Sequence, residues 1–201
     1  SNLTIIQGDT KYSFTKDKVV SFAPDGTEER NLWSGKVNIG LDIRTGNSSQ
    51  QDYTARVNLQ RRTSESRLLL TYLGRTSSKE GVEISNDHRF NEKYDVYLSR
   101  RFFWTPLFAE FYTDKFKNID KQLTAGVGVG YTLLDTKKMF WSFSGGPAFV
   151  YTSHSAVDTA TKKNAFSPAL EVSTKYEIEL NNITDLKYDY KLTYTTNEAG
   201  K

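Results

Sequence analysis

The chain has 201 residues, of which 27 are basic and 24 acidic, so its formal net charge is +3, and it contains no cysteine. This charge balance argues against a nucleic-acid partner, and the absence of thiols excludes disulfides and thiolate metal sites. Tyr and Phe, with 12 residues each against a single Met, favour β structure, whereas a hydrophobic share of 37% is low for a soluble core of this size.

Residues 1–31 differ in character from the rest of the chain. The stretch KYSFTKDKVVSF, residues 11–22, predicts a small hairpin, and residues 23–31 read as a polar link around Asp25-Gly26. We therefore predict an N-terminal hairpin and linker appendage over residues 1–31, followed by a main domain over residues 32–201.

Apolar and polar residues alternate through the main domain. Residues 36–44 carry an aliphatic side chain at every second position, and residues 52–60 repeat this pattern after the turn composition TGNSS. Seven further strands are predicted at 67–75, 85–99, 107–115, 121–134, 139–152, 167–180 and 184–195. Nine such strands are predicted to form an antiparallel meander of hairpins with one apolar and one polar face.

The connections between these strands alternate in length. Those near 62–66, 100–106, 135–138 and 181–183 are short, and those near 46–51, 76–84, 116–120 and 153–166 are mostly longer. Tight turns at one end and larger loops at the other are typical of an up-and-down transmembrane β-barrel, which needs no long apolar run. The pattern therefore predicts an outer-membrane barrel whose short turns face the periplasm.

Three glycines lie on one face of the strand QLTAGVGVGYTLLDT, residues 122–136. This segment lacks the strand-to-helix context and the Lys-Ser/Thr ending of a phosphate-binding loop. We predict instead that Gly126, Gly128 and Gly130 either face a crowded interior or permit strong bending of the strand, while Val127, Val129 and Tyr131 face lipid.

Two sets of side chains follow from this arrangement. An aromatic girdle at the short-turn interface is predicted from Trp33, Phe102, Phe103, Trp104, Phe140 and Trp141, with ordinary hairpin packing as the alternative. Charged residues on the polar faces are predicted to line the lumen, where they either plug it or border a passage for small solutes. They are Asp42, Arg44, Arg56, Asp95, Glu110, Glu171, Lys175, Glu177, Lys187 and Asp189.

Four stretches of the chain carry a family resemblance. WSGKVNIGLDIRTGN, LSRRFFWTPLFAEFYTDKF, DKQLTAGVGVGYTLLDT and FSGGPAFVY occur in this order, and residues 33–195 resemble the DUF481 family of salt-induced outer-membrane proteins. The resemblance implies an outer-membrane barrel of poorly defined function and brings no catalytic residues. Members generally continue for further strands, and a single-chain barrel normally has an even strand number, so we expect this barrel to be incomplete at the C-terminus.

The expected function is that of a structural or small-solute channel protein of the bacterial outer membrane, with no catalysis, metal or cofactor. Its expected partners are the lipid bilayer and other outer-membrane or periplasmic proteins, and no nucleic acid. Two alternatives stay open. One is a soluble, lipocalin-like barrel that binds an apolar ligand inside. The other is an outer-membrane hydrolase that uses Ser153, His154 and Asp158 in the longest loop.

Overall fold

The computed structural model describes residues 2–7, 9–15, 28–136, 138–155, 164–181 and 184–196. These residues form two antiparallel sheets and a single 3-10 turn, Glu29–Leu32. The strands are β1 (Asn2–Gln7), β2 (Thr10–Thr15), β3 (Trp33–Arg44), β4 (Gln50–Arg62), β5 (Ser66–Lys79), β6 (Val82–Tyr97), β7 (Phe102–Asp114), β8 (Ile119–Asp135), β9 (Met139–His154), β10 (Asn164–Asn181) and β11 (Thr184–Thr195).

The large sheet is a nine-stranded meander. Its strands lie in chain order from β3 to β11, and each pairs antiparallel with the next. The predicted all-β meander is thereby confirmed. Within the described residues, the outer edges of β3 and β11 pair with no other strand, so this sheet is open.

The small sheet is the hairpin of β1 and β2, in which Ile5 lies opposite Tyr12. This hairpin starts before the one predicted over residues 11–22, because β1 supplies the partner of β2 from the N-terminal side. Residues 16–22 lie outside the described part of the chain.

Two strand boundaries also differ from the prediction. The connection expected at 76–84 is a two-residue turn, in which Glu80 and Gly81 have φ angles of 53° and 76°. Positive φ at both central residues matches the twist of the flanking strands, which therefore extend to the turn. In addition, β7 already begins at Phe102, so Trp104 lies inside a strand and not in a turn.

The large sheet is strongly curved. Lys191 on β11 contacts Glu110 on β7 through a hydrogen bond of 2.6 Å, although β11 and β7 are four strand spacings apart. On a flat sheet these strands would be about 19 Å apart, which is too far for the two side chains to meet. The face that carries Lys191 and Glu110 is therefore concave, and we call it the concave face.

Burial on this sheet is the reverse of that in a soluble protein. Only four hydrophobic side chains of the described chain are buried, against eleven polar or charged residues. On the opposite, convex face, Ile39 is 82% exposed, and Val37, Val127 and Leu170 are exposed as well. Exposed aliphatic residues and buried carboxylates therefore lie on opposite faces of the large sheet, the former on the convex face and the latter on the concave face.

The glycines of β8 make room for aromatic rings on the concave face. A Cβ atom at Gly130 would overlap the ring of Phe103, and one at Gly126 would overlap both the ring of Phe108 and the carbonyl oxygen of Pro147. Phe103 and Phe108 are among the few buried hydrophobic residues. The prediction that these glycines face a crowded surface is confirmed.

We expect Gly126→Ala to lower the free energy of unfolding by about 1–3 kcal/mol, the usual cost of overpacking, because the carbonyl oxygen of Pro147 belongs to the backbone and cannot rotate away. Gly40→Ala is the matched control, since its nearest neighbour would be Thr54 at 3.7 Å, an ordinary contact. Denaturant titration of both variants measures the difference, and equal stabilities would contradict this account.

Candidate functional site

The concave face is centred on a buried carboxylate. Asp95 on β6 has no solvent exposure and accepts hydrogen bonds of 2.7 Å from both Nη2 of Arg67 and Oγ1 of Thr105. Nζ of Lys93 lies 4.0 Å from the same carboxylate. Strand pairing produces this cluster, because Arg67 lies directly opposite Asp95 and Thr105 follows on the next strand. The buried negative charge is therefore compensated by cations on its own strand and on its neighbour.

Lys93 connects this cluster to the other side of the curved sheet. Its ammonium group donates a 2.9 Å hydrogen bond to Oγ of Ser144 on β9, which is 2.7 Å from Oγ of Ser173 on β10. A cavity of about 10 Å³ lies beside these groups and also touches Glu171. A cavity of this size holds about one water molecule. The side chains of Lys93, Ser144 and Ser173 thus leave little free space beside them.

A third contact joins β11 to the centre of the sheet. The ammonium group of Lys191 is 2.6 Å from Glu110 and 3.8 Å from Glu171, and Glu110 also contacts Nη1 of Arg89 at 3.5 Å. The guanidinium of Arg89 lies 4.6 Å from the ring centroid of Tyr112. Two acidic and two basic groups from four strands therefore alternate across the concave face.

A wider depression lies where β4 to β7 meet their turns at 80–81 and 115–118. It has a volume of about 490 Å³, and its lining includes Asp52, Arg75, Asp87, Asp114 and Lys117. Arg75 binds Asp87 at 3.1 Å, and Lys117 lies 3.3 Å from Asp114. The carboxylates of these two pairs are therefore already compensated by neighbouring cations.

All ten of the proposed lumen-lining residues lie on the concave side of their strands, but only some of them form ion pairs. Asp42 pairs with Arg44 at 2.6 Å, and Lys175 pairs with Glu177 at 3.1 Å. Strand pairing sets Lys175 opposite Asp189 and Glu177 opposite Lys187. Asp95, Glu110 and Glu171 belong to the central clusters, whereas Arg56 has no partner within the described residues.

Sequence reasoning missed several residues that complete these clusters, namely Arg67, Arg89, Lys93, Thr105 and Lys191. The alternation of the strands carried a signal for some of them. Lys93 precedes Asp95 by two residues, and Lys191 follows Asp189 by two, so each pair shares a face. The partnership of Arg67 with Asp95 depends on strand register, which the sequence pattern alone does not fix.

The six aromatic residues proposed as a girdle do not share one face. Trp33, Phe102 and Trp104 are exposed on the convex face, where Trp141 also lies and donates to Oγ1 of Thr174 at 3.1 Å. Phe103 is only 5% exposed and points into the concave face. Phe140 lies opposite Glu177 and so belongs to the concave side. Adjacent residues in a strand face opposite ways, so a run of aromatics cannot all contribute to one surface.

The side chain of Trp33, the first residue of β3, is hydrogen-bonded to a carboxylate that also forms an ion pair. Its indole nitrogen donates to Glu29 at 3.1 Å, and Nε of Arg61 contacts the same carboxylate at 2.5 Å. The hydrogen bond from Arg61 holds the pKa of Glu29 below its ordinary value of 4.5. This contact joins the 3-10 turn to the first two strands of the large sheet.

The residues of the hydrolase alternative do not form a triad in the described structure. Ser153 is buried, Nδ1 of His154 is buried without a hydrogen-bond partner, and Asp158 lies outside the described residues. The other histidine, His88, contacts the hydroxyl of Tyr72 at 2.9 Å. Among the described residues, no group of three His, Cys, Asp or Glu side chains is arranged to hold a metal ion.

No helix within the described ranges is long and apolar enough to span a membrane.

Comparison with known proteins gives a family match. The family described as "Protein of unknown function, DUF481" matches residues 37–200, which include every strand from β4 to β11 and most of β3. No curated protein and no solved structure matches the chain.

We expect Asp95→Ala to lower the free energy of unfolding by about 3 kcal/mol, because it leaves the charge of Arg67 without its buried partner. Asp42→Ala removes one half of an exposed ion pair with Arg44 and should cost less than about 1 kcal/mol. Denaturant titration compares the two variants. A loss in Asp95→Ala no larger than that in Asp42→Ala would contradict a central role for the buried carboxylate.

A second prediction concerns pH. The pKa of Glu29 is lower in the folded than in the unfolded chain, so its contact with Arg61 stabilises the fold at neutral pH and is lost as the pH falls through the folded-state value, below 4.5. In a chain with Trp104→Phe and Trp141→Phe, we expect the fluorescence of Trp33 to change with a midpoint below 4.5. The same transition in a Glu29→Gln background would argue against this assignment.

Proposed function

The chain belongs to the DUF481 family, and we propose that it is an outer-membrane β-barrel protein whose convex face contacts lipid and whose concave face forms a polar interior. The observation that carries the proposal is the inverted burial of the large sheet: many aliphatic and aromatic side chains are exposed, while carboxylates and hydroxyls are buried.

The convex face supports a lipid environment on energetic grounds. Soluble monomers rarely expose contiguous apolar patches above a few hundred Å². Here the exposed apolar residues extend across the whole sheet, from Val37 and Ile39 on β3 to Leu192 and Tyr194 on β11. Hydrocarbon removes the cost of exposing these side chains to water. Trp33, Phe102 and Trp104 suit an interface, where aromatic rings are enriched.

Closure of the sheet completes the proposal. A sheet that crosses hydrocarbon must pair every backbone N–H and C=O group, because no water is present to bind them. The curvature that brings Lys191 to Glu110 already turns β11 toward the rest of the concave face. We therefore assign the free edges of β3 and β11 to closure of a barrel in the membrane.

The filled centre of the concave face supports a structural or solute-binding role over an open pore. Around Lys93 and Ser144 the remaining cavity holds about one water molecule, whereas the depression at the turns is much larger. Small solutes would thus reach the ends of the interior and not pass its centre. The proposal includes no catalysis and no cofactor, and its partners are lipid and other outer-membrane or periplasmic proteins.

The lipocalin-like alternative requires the apolar face to enclose a ligand. The outward position of Val127, Leu170 and Val172 on neighbouring parts of the sheet supports the membrane proposal over this alternative.

Spin labels test the two faces on adjacent residues of β11. The chain has no cysteine, so single-cysteine variants at Asp189 and Tyr190 give unique attachment sites on the concave and convex faces. In lipid vesicles we expect the label at Tyr190 to be accessible to dissolved oxygen and protected from a water-soluble nickel complex. The label at Asp189 should show the reverse preference.

The same variants without lipid provide the control, since both labels should then be accessible to the nickel complex once the protein is unfolded in urea. If the label at Tyr190 is as accessible to nickel in vesicles as the label at Asp189, the membrane proposal is refuted.

A further inference from the structure

Three cations on the concave face of β3 and β4 differ from all the clusters described above. Lys36, Arg56 and Arg62 are exposed, and none of them has an ion pair or a side-chain hydrogen bond within the described part of the chain. The most buried carboxylates of the same face each contact a cation. Those pairs are Asp95 with Arg67, Asp87 with Arg75, Asp114 with Lys117, and Glu110 and Glu171 with Lys191.

Strand pairing arranges the three cations as a row, which we call the cationic row. Lys36 lies opposite Asn58, between Arg56 and Arg62 along β4. Concave-face neighbours on one strand are about 6.7 Å apart, so the row spans about 20 Å from Arg56 to Arg62. The uncharged positions between and beside the cations include three amides, Asn38, Asn58 and Gln60, and the hydroxyl of Ser34.

The strand next to the cationic row supplies no counter-charge. On β5, Leu73 lies opposite Arg56, Thr71 opposite Asn58 and Leu69 opposite Gln60. Arg67, opposite Arg62, is a further cation, whose charge is compensated by Asp95. No carboxylate of β3, β4 or β5 is therefore paired with the row, and a concave surface with low-dielectric walls concentrates a positive potential.

The donor set of the row specifies an anion. Guanidinium groups present a planar fork of N–H donors that fits phosphate and carboxylate groups in two-point contacts, and the lysine adds a mobile point charge. Asn38, Asn58 and Gln60 contribute amide N–H donors between the charges. Carboxylate side chains, which would repel an anion, occupy none of these positions.

We propose that the cationic row of Lys36, Arg56 and Arg62 is a binding site for small anionic solutes that carry phosphate or carboxylate groups. The assignment deepens the proposed function and rests on it, because the concave face is the one assigned to the interior. It adds the class of solute, and it places recognition on the wall formed by β3 and β4, away from the filled centre.

Calorimetric titration of the full chain in zwitterionic detergent at low ionic strength tests the site, with inorganic pyrophosphate and citrate as probes. We expect the combined variant Lys36→Gln, Arg56→Gln, Arg62→Gln to bind pyrophosphate at least tenfold more weakly than the original chain. Arg56→Lys keeps the charge but not the planar fork, so it should weaken binding severalfold.

The matched control removes the same charge elsewhere. Lys11→Gln, Lys79→Gln, Lys121→Gln neutralises three exposed lysines outside the row and should leave pyrophosphate binding within twofold of the original. An equal loss in this control would mean that only net charge matters, and unchanged binding in the row variant would mean that the row is not the site. Either result overturns the proposal.

Two further measurements distinguish a free solute from a lipid headgroup as the bound anion, and distinguish failure of the anion site from failure of the membrane proposal. Preference for short-chain phosphatidic acid over pyrophosphate would overturn the assignment to a solute. The spin-label experiment on β11 is independent of anion binding. If the spin labels show the expected pattern but pyrophosphate does not bind, only the proposal for the cationic row is overturned. If pyrophosphate binds but the label at Tyr190 is accessible to nickel in vesicles, the membrane proposal is refuted and the row is an anion site on a water-exposed sheet.

Discussion

The burial of one carboxylate constrains the rest of this structure. Asp95 is fully buried, and a buried carboxylate is tolerated only when cations and hydrogen-bond donors surround it. Arg67 and Thr105 meet this requirement from the two neighbouring strands, and Lys93 approaches from its own. The register of β5, β6 and β7 must therefore bring these groups together, and a shift by one residue would turn each of them to the convex face. The polar face is consequently the inside.

Because the sheet curves toward its polar face, side chains on that face are crowded and some positions require small residues. Gly126 and Gly130 on β8 supply the space, and the rings of Phe108 and Phe103 on β7 fill it. Ring and glycine are direct neighbours across the strand pair, so the aromatic side chains pack against the backbone of β8. This arrangement gives close packing without many aliphatic residues, which explains how a chain with so low a hydrophobic share builds an ordered interior.

The sequence was informative wherever a property repeats every two residues. Alternation located all nine strands of the large sheet and assigned Glu171, Lys175 and Leu170 to their faces, because the side-chain period of a strand is fixed by its geometry. The same period of two places Phe103 on the opposite face from Phe102 and Trp104. The predicted girdle grouped all three because they are aromatic and did not apply this rule.

Partnerships between strands were beyond the reach of the sequence. The contact of Lys191 with Glu110 joins residues 81 positions apart and depends on curvature, which no local pattern encodes. The pairing of Arg67 with Asp95 depends on register in the same way. The tight turn at Glu80-Gly81 was missed because the polar residues around it resemble a loop, although they continue the strands.

Charge compensation is uneven across the concave face. Some regions carry paired acidic and basic groups, and one region carries cations without acidic partners. From β6 to β11 acidic and basic groups meet across the curve, so each charge lowers the cost of its neighbour and fixes the shape of the sheet. The three cations of the cationic row on β3 and β4 pair with no acid in the described chain, so they do not join strands in this way. Like charges in one row repel, and they persist without cost only where water or an anion solvates them. The paired region thus sets the form of the interior, and the unpaired row keeps its donors free to bind.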